Sequence, residues 1–499
     1  MHHSNYKIYK MKKTIKNSFK ILVCMLVFIS CEEYLDVQPD DKYIEEIVFS
    51  KEISIQNAIN GIYMKMTEID SYGGQLTMST VDVLAQRYNA YSDSHKYYDL
   101  AHYNYNQTSI KEDFDAIWTN MYVRILEINN TIEKLEINDA NIPLERLNVL
   151  KGEMIGLRAM LHFDLLRLFG PIYSVNPSAK SLPYQNSTST EIKPLLPASE
   201  FIENILEDLT LSINYLNDDP VKEYGKIAIP EQDDDTSGFE GTSFYRYRNL
   251  RFNYFAAKAL QARVHLYAGN NLEANAAAKE VIDEGTKWFN WVDLNDVIAP
   301  GTNSPDRIFS SEVLFSLYNS NLYNRQATFF GSSLVNSEIL APLPTRLDAT
   351  FNQNTNDIRY HSSSWKLPSD GSKTFKTFLK FSEVQSGDSF IYMQPLIRMS
   401  EMYFIAAETS VDINVATDFL NAVRLHRGIP NLDPANIDID TELLNAYKRE
   451  FYGEGQLFYF YKRKNMSAIE NGSVETGDVP MSEATYVLPL PESETDYRQ

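Results

Sequence analysis

The stretch LRFNYFAAKALQARVHLYAGNNLEANAAAKEVIDE, residues 250–284, decides the class of fold. It predicts one helix over residues 250–268 and a second over residues 272–284, joined at Gly269-Asn270. Apolar residues recur at intervals of three or four, which is the period of a helix with one buried face. Alanines gather along both segments, and small side chains let two helix backbones approach closely. The stretch therefore predicts a tightly packed helix pair.

The pair resembles a tetratricopeptide unit, because Tyr267 and Gly269 end the first helix and alanines begin the second. Other predicted helices share this layout more loosely. We predict a mainly α fold of about four irregular tetratricopeptide-like helix pairs, forming a right-handed superhelical scaffold with long loops and a few short β-hairpins. The remaining long helices are predicted over residues 53–66, 114–135, 144–169, 199–216, 395–410, 414–427 and 441–464.

Local signals refine these boundaries. Gly170-Pro171 predicts a left-handed glycine cap at the end of the helix 144–169, followed by a proline that cannot continue it. Ser199 predicts an N-cap for the next helix. The apolar run 312–317 predicts a short strand.

The N-terminus predicts export. Residues 1–30 carry six lysines and no acidic residue, and an apolar run over residues 21–29 precedes Ser30 and Cys31. This is the pattern of a secretory signal peptide, and the run is too short for a transmembrane helix, which needs roughly 20 apolar residues. Residues 28–31 resemble a bacterial lipobox, which implies that Cys31 is acylated and becomes the first mature residue. Met1 and Met11 both remain possible starts.

Charge and cysteine content exclude several classes of protein. After residue 30 the chain has 40 basic and 67 acidic side chains, a net charge of −27. Nucleic-acid binding rests on basic patches, so we expect no nucleic-acid partner. The two cysteines are Cys24, inside the signal, and Cys31. We therefore expect no disulfide, no cysteine-ligated metal and no cysteine nucleophile in the mature chain.

The predicted domain organisation is simple. Residues 1–30 form the signal peptide, residues 31–45 the lipid anchor and tether, and residues 46–499 a single helical domain. Its helix-pair core covers about 46–284 and 395–464, and residues 285–394 form a loop-rich insertion. Long ordered loops in a compact protein are usually functional.

Several motifs occur in order from residue 31 to residue 494. They are Cys31 to Pro39, Asn60-Gly61-Ile62-Tyr63, Gly156 to Pro171, Pro395 to Glu408, Leu420 to Pro430, Arg449 to Gly455 with Lys462-Arg463, and Leu488 to Glu494. Together they resemble the SusD/RagB family. The chain departs from the family in one place, because residues 456–460 lack the tryptophan and aspartate often found there. The resemblance implies a helical nutrient receptor, anchored in the outer membrane through Cys31 and facing the cell exterior. It also implies a SusC-like TonB-dependent transporter as partner.

The charged residues within these motifs, the SusD/RagB signatures, have two possible interpretations. One is a catalytic carboxylate pair, and the other is a set of buried ion pairs that lock helices together. We favour ion pairs, because arginine partners keep carboxylates ionised, whereas a general acid needs a raised pKa. Asp164 and Arg167, three residues apart on one helix, are placed to pair. The residues assigned this structural role are Arg158, Asp164, Arg167, Arg398, Glu401, Glu408, Arg424, Arg449, Glu450 and Glu454.

Aromatic residues in the loops are the best indication of a ligand. Residues 88–105 hold six tyrosines interleaved with Asn, Asp and His. Sugar rings have apolar faces that stack on aromatic rings and hydroxyl rims that need amides and acids. The candidate ligand-binding residues are Asp82, Arg87, Tyr98, His102, Tyr103, Tyr105, Trp288, Trp291 and Trp365. Ordinary loop packing is the alternative for each.

No motif for catalysis, for a cofactor or for a phosphate-binding loop is present in the sequence, and we predict no enzyme activity, no cofactor and no metal. Asp233-Asp234-Asp235 lacks the spaced ligands of a calcium-binding loop. The leading hypothesis is a receptor that captures oligosaccharides or similar oligomeric nutrients for the transporter. The alternatives are a receptor for peptides or glycopeptides, and a helical-repeat scaffold of an envelope complex that binds no ligand.

Overall fold

The computed structural model describes residues 49–227, 239, 243–299 and 304–498. The chain divides into two units, residues 1–55 and 56–499, and the architecture below is that of the second. The signal peptide, Cys31 and the acidic run Asp233-Asp234-Asp235 lie outside the described residues.

Helices dominate the described residues, which confirms the prediction of a mainly α fold. The longer helices are α1 (Glu52–Met66), α4 (Thr108–Ile137), α5 (Leu144–Phe169), α6 (Ala198–Tyr215), α8 (Tyr254–Ala268), α9 (Asn271–Gly285), α11 (Leu322–Phe330), α12 (Pro344–Phe351), α13 (Met399–Thr409), α14 (Ile413–Leu425), α15 (Ile439–Glu450) and α16 (Gln456–Arg463). The short helices are α2 (Thr80–Leu84), α3 (Tyr98–Ala101), α7 (Val221–Tyr224), α10 (Leu294–Ile298), α17 (Glu483–Tyr486) and α18 (Glu492–Thr495). Among the described residues, none of the helices is both long enough and apolar enough to cross a membrane.

Four antiparallel two-stranded ribbons complete the structure of the described residues. Their strands are β1 (Lys180–Leu182) with β2 (Leu196–Pro197), β3 (Val313–Tyr318) with β6 (Met393–Arg398), β4 (Trp365–Lys366) with β5 (Thr377–Phe378), and β7 (Ala468–Glu470) with β8 (Asp478–Pro480).

The helix pair α8–α9 forms as the alanine pattern predicts. The Asn253 side chain accepts a hydrogen bond from the Ala256 N–H and caps the start of α8. Gly269 ends it in the left-handed region with φ of 79°, a conformation that glycine adopts at little cost. Ala257, Ala274 and Ala278 are fully buried, so small residues do line the contact between the two helices.

Helix α5 is the centre of the helical layers, because it packs against both α4 and α6. Its side chains are buried without a break from Val149 to Phe169. Two glycines let neighbouring side chains lie close to the backbone of α5. A Cβ placed on Gly156 would lie 2.1 Å from the Phe252 ring, and one on Gly152 would lie 2.7 Å from Leu216.

The structure corrects four of the predicted boundaries. Residues 393–398 form strand β6 rather than the start of a helix, because they pair with β3. The predicted helix 441–464 is two helices, separated at Gly453 and Gly455, which have φ of 73° and 70°. Gly170 is extended (φ −76°, ψ 170°) and not left-handed. Ser199 lies inside α6, which begins one residue earlier after Pro197. The predicted strand at residues 312–317 is present as β3.

Candidate functional site

Tyr98 and His102 form an aromatic pair at the surface of the loop region 88–105. They lie at the two ends of the single-turn helix α3, with ring centroids 4.1 Å apart and an interplanar angle of 32°. The imidazole Nδ1–H donates to the Tyr98 carbonyl oxygen over 2.7 Å, which fixes the ring orientation. His102 is exposed and Tyr98 is half-buried. Tyr91, in the same region, has 71% of its surface exposed. We call Tyr91, Tyr98 and His102 the loop cluster.

Tyr103 and Tyr105 face the interior and hold this loop region in place. The Tyr103 hydroxyl donates to the Leu84 carbonyl oxygen over 2.9 Å. The Tyr105 hydroxyl donates to the Thr485 carbonyl oxygen over 2.7 Å. Burial raises the pKa of both phenols. These two candidates thus support the loop cluster and do not form part of its surface.

Asp82 and Arg87 are core residues, which corrects their assignment to a ligand surface. Their charged groups lie 3.5 Å apart, and both side chains are almost fully buried. The Gly453 N–H donates to Asp82 over 2.7 Å, while Arg87 donates to the Lys448 carbonyl oxygen over 2.7 Å. Burial raises the pKa of Asp82 to about 6, although Arg87 opposes the shift. The pair connects the α2 region to α15 and the turn that follows it.

The three candidate tryptophans do not come together. Trp365 is buried against the Phe378 ring, at a centroid distance of 4.5 Å, and is a core residue rather than a ligand contact. Trp288 is half-buried, and its indole Nε1–H donates to the Lys222 carbonyl oxygen over 3.3 Å. Trp291 is half-buried and stacks on His426 at 4.8 Å with an interplanar angle of 13°.

A second aromatic group was missed by the sequence analysis. Tyr318 ends β3, Tyr392 immediately precedes β6, and Tyr323 lies in the first turn of α11. The Tyr392 ring centroid lies 5.5 Å from that of Tyr318 and 4.7 Å from that of Tyr323. Tyr318 is 52% exposed, and Tyr392 adopts φ of 57°, which is unusual for a tyrosine. We call Tyr318, Tyr323 and Tyr392 the hairpin cluster.

Backbone hydrogen bonds connect the segments that carry the two clusters. The Asn89 N–H donates to the Ala341 carbonyl oxygen over 2.9 Å, and the Lys96 N–H donates to the Ser337 carbonyl oxygen over 2.8 Å. The Leu340 N–H donates to the Phe329 carbonyl oxygen on α11 over 2.8 Å. Helix α11, about 13 Å long, leads from the hairpin cluster to the segment on which the loop cluster rests.

The chemistry of this arrangement suits a neutral polar ligand. Amphipathic rings in exposed positions offer flat apolar faces, and the Asn, Ser and Asp residues around them offer hydrogen bonds. Within the described ranges, no three histidine, cysteine or acidic side chains are grouped so that they could hold a metal ion.

Sequence comparison places the chain in a family. Residues 33–228 match a SusD-like profile described as "Starch-binding associating with outer membrane". Residues 349–497 match the profile of the SusD family. The chain belongs to the SusD/RagB family.

Solved SusD-like structures share its fold. A SusD superfamily protein from Bacteroides thetaiotaomicron superposes with a TM-score of 0.69 at 22% identity, covering 89% of this chain and 98% of that one. A SusD-like carbohydrate binding protein from Bacteroides vulgatus gives 0.66 at 16% identity, covering 89% and 96%. A laminarin binding SusD-like protein gives 0.60 at 17% identity, covering 89% and 97%. No curated protein matches the chain.

The charged residues of the SusD/RagB signatures form buried ion pairs in this chain. Glu450 is fully buried and contacts Arg427 at 2.6 Å, Arg359 at 2.8 Å and Arg398 at 2.5 Å. Burial opposes its ionisation, but the guanidinium groups of Arg427, Arg398 and Arg359 outweigh that effect and hold the pKa of Glu450 well below its usual range. Glu454 pairs with Arg398 at 2.9 Å.

Most of the other SusD/RagB signature residues form ion pairs that join two helices. Arg158 on α5 binds Asp208 on α6 through two hydrogen bonds of 2.7 and 2.6 Å. Glu401 does not pair with Arg398 three residues before it, but with Arg263 on α8 at 2.6 Å. Glu408 pairs with Arg463 and Arg424 with Glu442, each between two helices, while Asp164 and Arg167 pair within α5. Arg449, predicted to form an ion pair, instead donates to the Thr350 carbonyl oxygen over 2.7 Å.

Proposed function

We propose that the chain is a surface-exposed lipoprotein that captures oligosaccharides, or similar oligomeric nutrients, and delivers them to a SusC-like TonB-dependent outer-membrane transporter. The single observation that carries the proposal is the Tyr98–His102 ring pair, in which His102 is exposed and Tyr98 half-buried, in a chain of the SusD/RagB family. Carbohydrate binding is named for two of the related structures.

The loop and hairpin clusters supply the interactions that a sugar requires. The CH face of a pyranose is apolar and gains free energy by covering an aromatic ring, while its hydroxyl groups need polar neighbours. Tyr318 and Tyr91 keep half or more of their surface in water, so a ligand reaches them without opening the core. Most of the charged signature residues are ion-paired inside the protein, which supports a binding role without chemistry.

Anchoring rests on Cys31 and the leader before it. Two or more acyl chains on that cysteine would hold the protein stably at a membrane, and the acidic mature chain would remain hydrated. In this arrangement the receptor stays beside its transporter while its loops face the ligand.

Calorimetric titration of the mature protein with a panel of neutral oligosaccharides tests the binding claim. We expect at least one to bind saturably. The double variant Tyr98→Ala/His102→Ala should weaken it about tenfold or more, since roughly 1.4 kcal/mol of stacking corresponds to a factor of ten. Tyr247→Ala removes a tyrosine that is 45% exposed outside both clusters and serves as the matched control.

The transporter claim needs a separate measurement. We expect the SusC-like protein of the same cell to co-purify with the full-length receptor after mild detergent extraction. Recovery of the receptor alone from membranes that contain such a transporter would contradict the delivery role, but not the binding claim.

A further inference from the structure

A cavity lies in a part of the protein that contains neither aromatic cluster. It is formed by α4, by residues 183–193 and by the C-terminal residues 494–498, and its volume is about 380 Å³. None of the residues that line it belongs to the loop or hairpin cluster. Small-molecule sites commonly measure about 300–1,000 Å³, so this cavity is large enough to hold a ligand.

Aromatic residues form one side of the cavity. Trp118 and Tyr122 lie one helical turn apart on α4, with ring centroids 4.7 Å apart. Tyr497 lies on the C-terminal segment and is 77% exposed. Trp118 is buried, Tyr122 is half-buried and Tyr497 is exposed. Together these three rings offer the cavity apolar faces of the size that a sugar ring covers.

Another part of the lining comes from an irregular segment, residues 183–188, which buried polar side chains hold in place. Asn129 is 1% exposed, and its Nδ2 donates to the Gln185 and Ser187 carbonyl oxygens over 3.0 and 3.2 Å. Arg158 Nη1 in turn donates to Asn129 Oδ1 over 2.9 Å. His162, fully buried, accepts from the Gln185 N–H over 3.1 Å.

Further hydrogen bonds fix both ends of this segment. The Tyr122 hydroxyl donates to the Pro183 carbonyl oxygen over 2.9 Å. The Thr188 N–H and hydroxyl both donate to Glu133, over 3.0 and 2.8 Å. A segment held at so many points has lost its conformational freedom before any ligand arrives, and such preorganisation favours binding.

The charges around the cavity balance. Glu191 and Glu494 oppose Lys193 and Arg498, and Arg498 pairs with Glu494 at 2.5 Å while donating to the Lys193 carbonyl oxygen over 2.9 Å. The remaining polar lining consists of hydroxyls and amides, such as Ser187, Ser189 and Gln185. A balanced lining of this kind favours a neutral, hydroxyl-rich ligand over an anion or a cation.

From this geometry we propose that the cavity is a second carbohydrate-binding site, which takes a neutral mono- or disaccharide independently of the loop and hairpin clusters. The aromatic wall covers one face of the sugar ring, and the clamped segment 183–188 with Ser189 binds its hydroxyls. Since it shares no residue with the clusters, this inference does not rest on the proposed function.

Saturation-transfer NMR of the mature protein tests the site, with methyl glucoside, methyl galactoside, methyl mannoside, maltose and cellobiose as probes. Two variants alter the cavity from exposed positions: Ser189→Trp, which fills it, and Tyr497→Ala, which removes one ring. We expect at least one probe to bind, and both variants to weaken it tenfold or more. Tyr98→Ala/His102→Ala and Tyr247→Ala should leave that binding unchanged.

Three results would overturn the site: no neutral probe saturates at millimolar concentration, Ser189→Trp leaves binding intact, or glucuronate binds more tightly than methyl glucoside. Thermal unfolding of each variant establishes that it is folded. The double variant Tyr98→Ala/His102→Ala separates the two proposals. If it leaves oligosaccharide binding unchanged, the proposed function fails. If it also leaves binding in the cavity unchanged, the second site is still supported.

Discussion

Arg398 and Glu450 form an ion pair at 2.5 Å in which both side chains are completely inaccessible to solvent. Arg398 is the last residue of strand β6, and Glu450 is the last residue of α15. The pair thus joins the ribbon β3–β6 to the C-terminal helices, and Arg427 extends the network to Glu312 at 2.7 Å. Breaking a buried pair leaves an uncompensated charge inside the protein, which is strongly destabilising.

Glu450→Gln should therefore lower the free energy of unfolding by about 3–5 kcal/mol, measured by urea denaturation. Three arginines, Arg359, Arg398 and Arg427, would lose their shared carboxylate. Glu442→Gln is the matched control, because its contact with Arg424 is longer, 3.4 Å, and partly exposed. The control should cost less than about 1 kcal/mol, and equal losses in the two variants would contradict the role given to the network.

His162 predicts a pH dependence of stability. Burial, reinforced by Arg158, lowers its pKa to about 3. A histidine whose pKa is lower in the folded than in the unfolded protein stabilises the fold above pH 6.5, and that contribution is lost as the pH falls from 6.5 towards 3. The slope for one such group approaches about 1.4 kcal/mol per pH unit.

Comparison with His162→Gln isolates the contribution of His162 to the pH dependence of stability, because the glutamine amide does not titrate. The difference in unfolding free energy between wild type and variant should shrink steadily from pH 6.5 to pH 4. Burial raises the pKa values of Asp82 and Asp306 to about 6, so these two groups make the folded protein more stable as the pH falls. Their effect is the same in wild type and variant and cancels in the comparison. A difference that does not change with pH would show that His162 is not held neutral.

Lys462 caps the end of α5 from inside the protein. Its fully buried Nζ donates to the carbonyl oxygens of Arg167, Leu168 and Gly170 over 2.8, 3.1 and 2.7 Å. Lys462→Met would remove this donor from the Arg167 and Gly170 carbonyl oxygens, whereas the Leu168 carbonyl oxygen also accepts from the Leu488 N–H over 3.1 Å. We expect a cost of about 1–3 kcal/mol in chemical denaturation. Lys464→Met, at a half-exposed position two residues later, should cost markedly less.

Gly156 tests the close packing of α5. A methyl group there would lie 2.1 Å from the Phe252 ring, so Gly156→Ala should destabilise the protein by about 1–3 kcal/mol through overpacking. Gly61→Ala, in α1 with no atom within 4 Å of the added carbon, should be neutral or stabilising by up to about 1 kcal/mol. Melting temperatures that move in the same direction for both variants would contradict this view of the α5 contact.

Helical periodicity was sufficient to predict the fold class, the α8–α9 pair and most of the long helices, because these depend on apolar spacing along a short stretch of chain. The errors arise from long-range pairing. Residues 393–398 look helical in isolation and become a strand only because β3 lies beside them. The break after Glu450 depends on two glycines with positive φ.

The candidate site was harder to predict, because a sequence does not show which aromatic side chains face water. Trp365 and Tyr98 both occur in polar loops, yet one is packed on Phe378 and the other lies at the surface. Tyr318 and Tyr392 are 74 positions apart and meet only through the β3–β6 ribbon. The available signal was a tyrosine at the end of β3 and another just before β6, and it could be used only once the strand pairing was known.

The most direct test of the central claim is a crystal structure of the mature protein with an oligosaccharide that binds it in solution. We predict electron density for a sugar ring stacked on Tyr98 and His102, or on Tyr318 and Tyr392. Well-defined density for the ligand only at sites that include neither cluster would contradict this claim, and density in the α4 cavity alone would support only the second site.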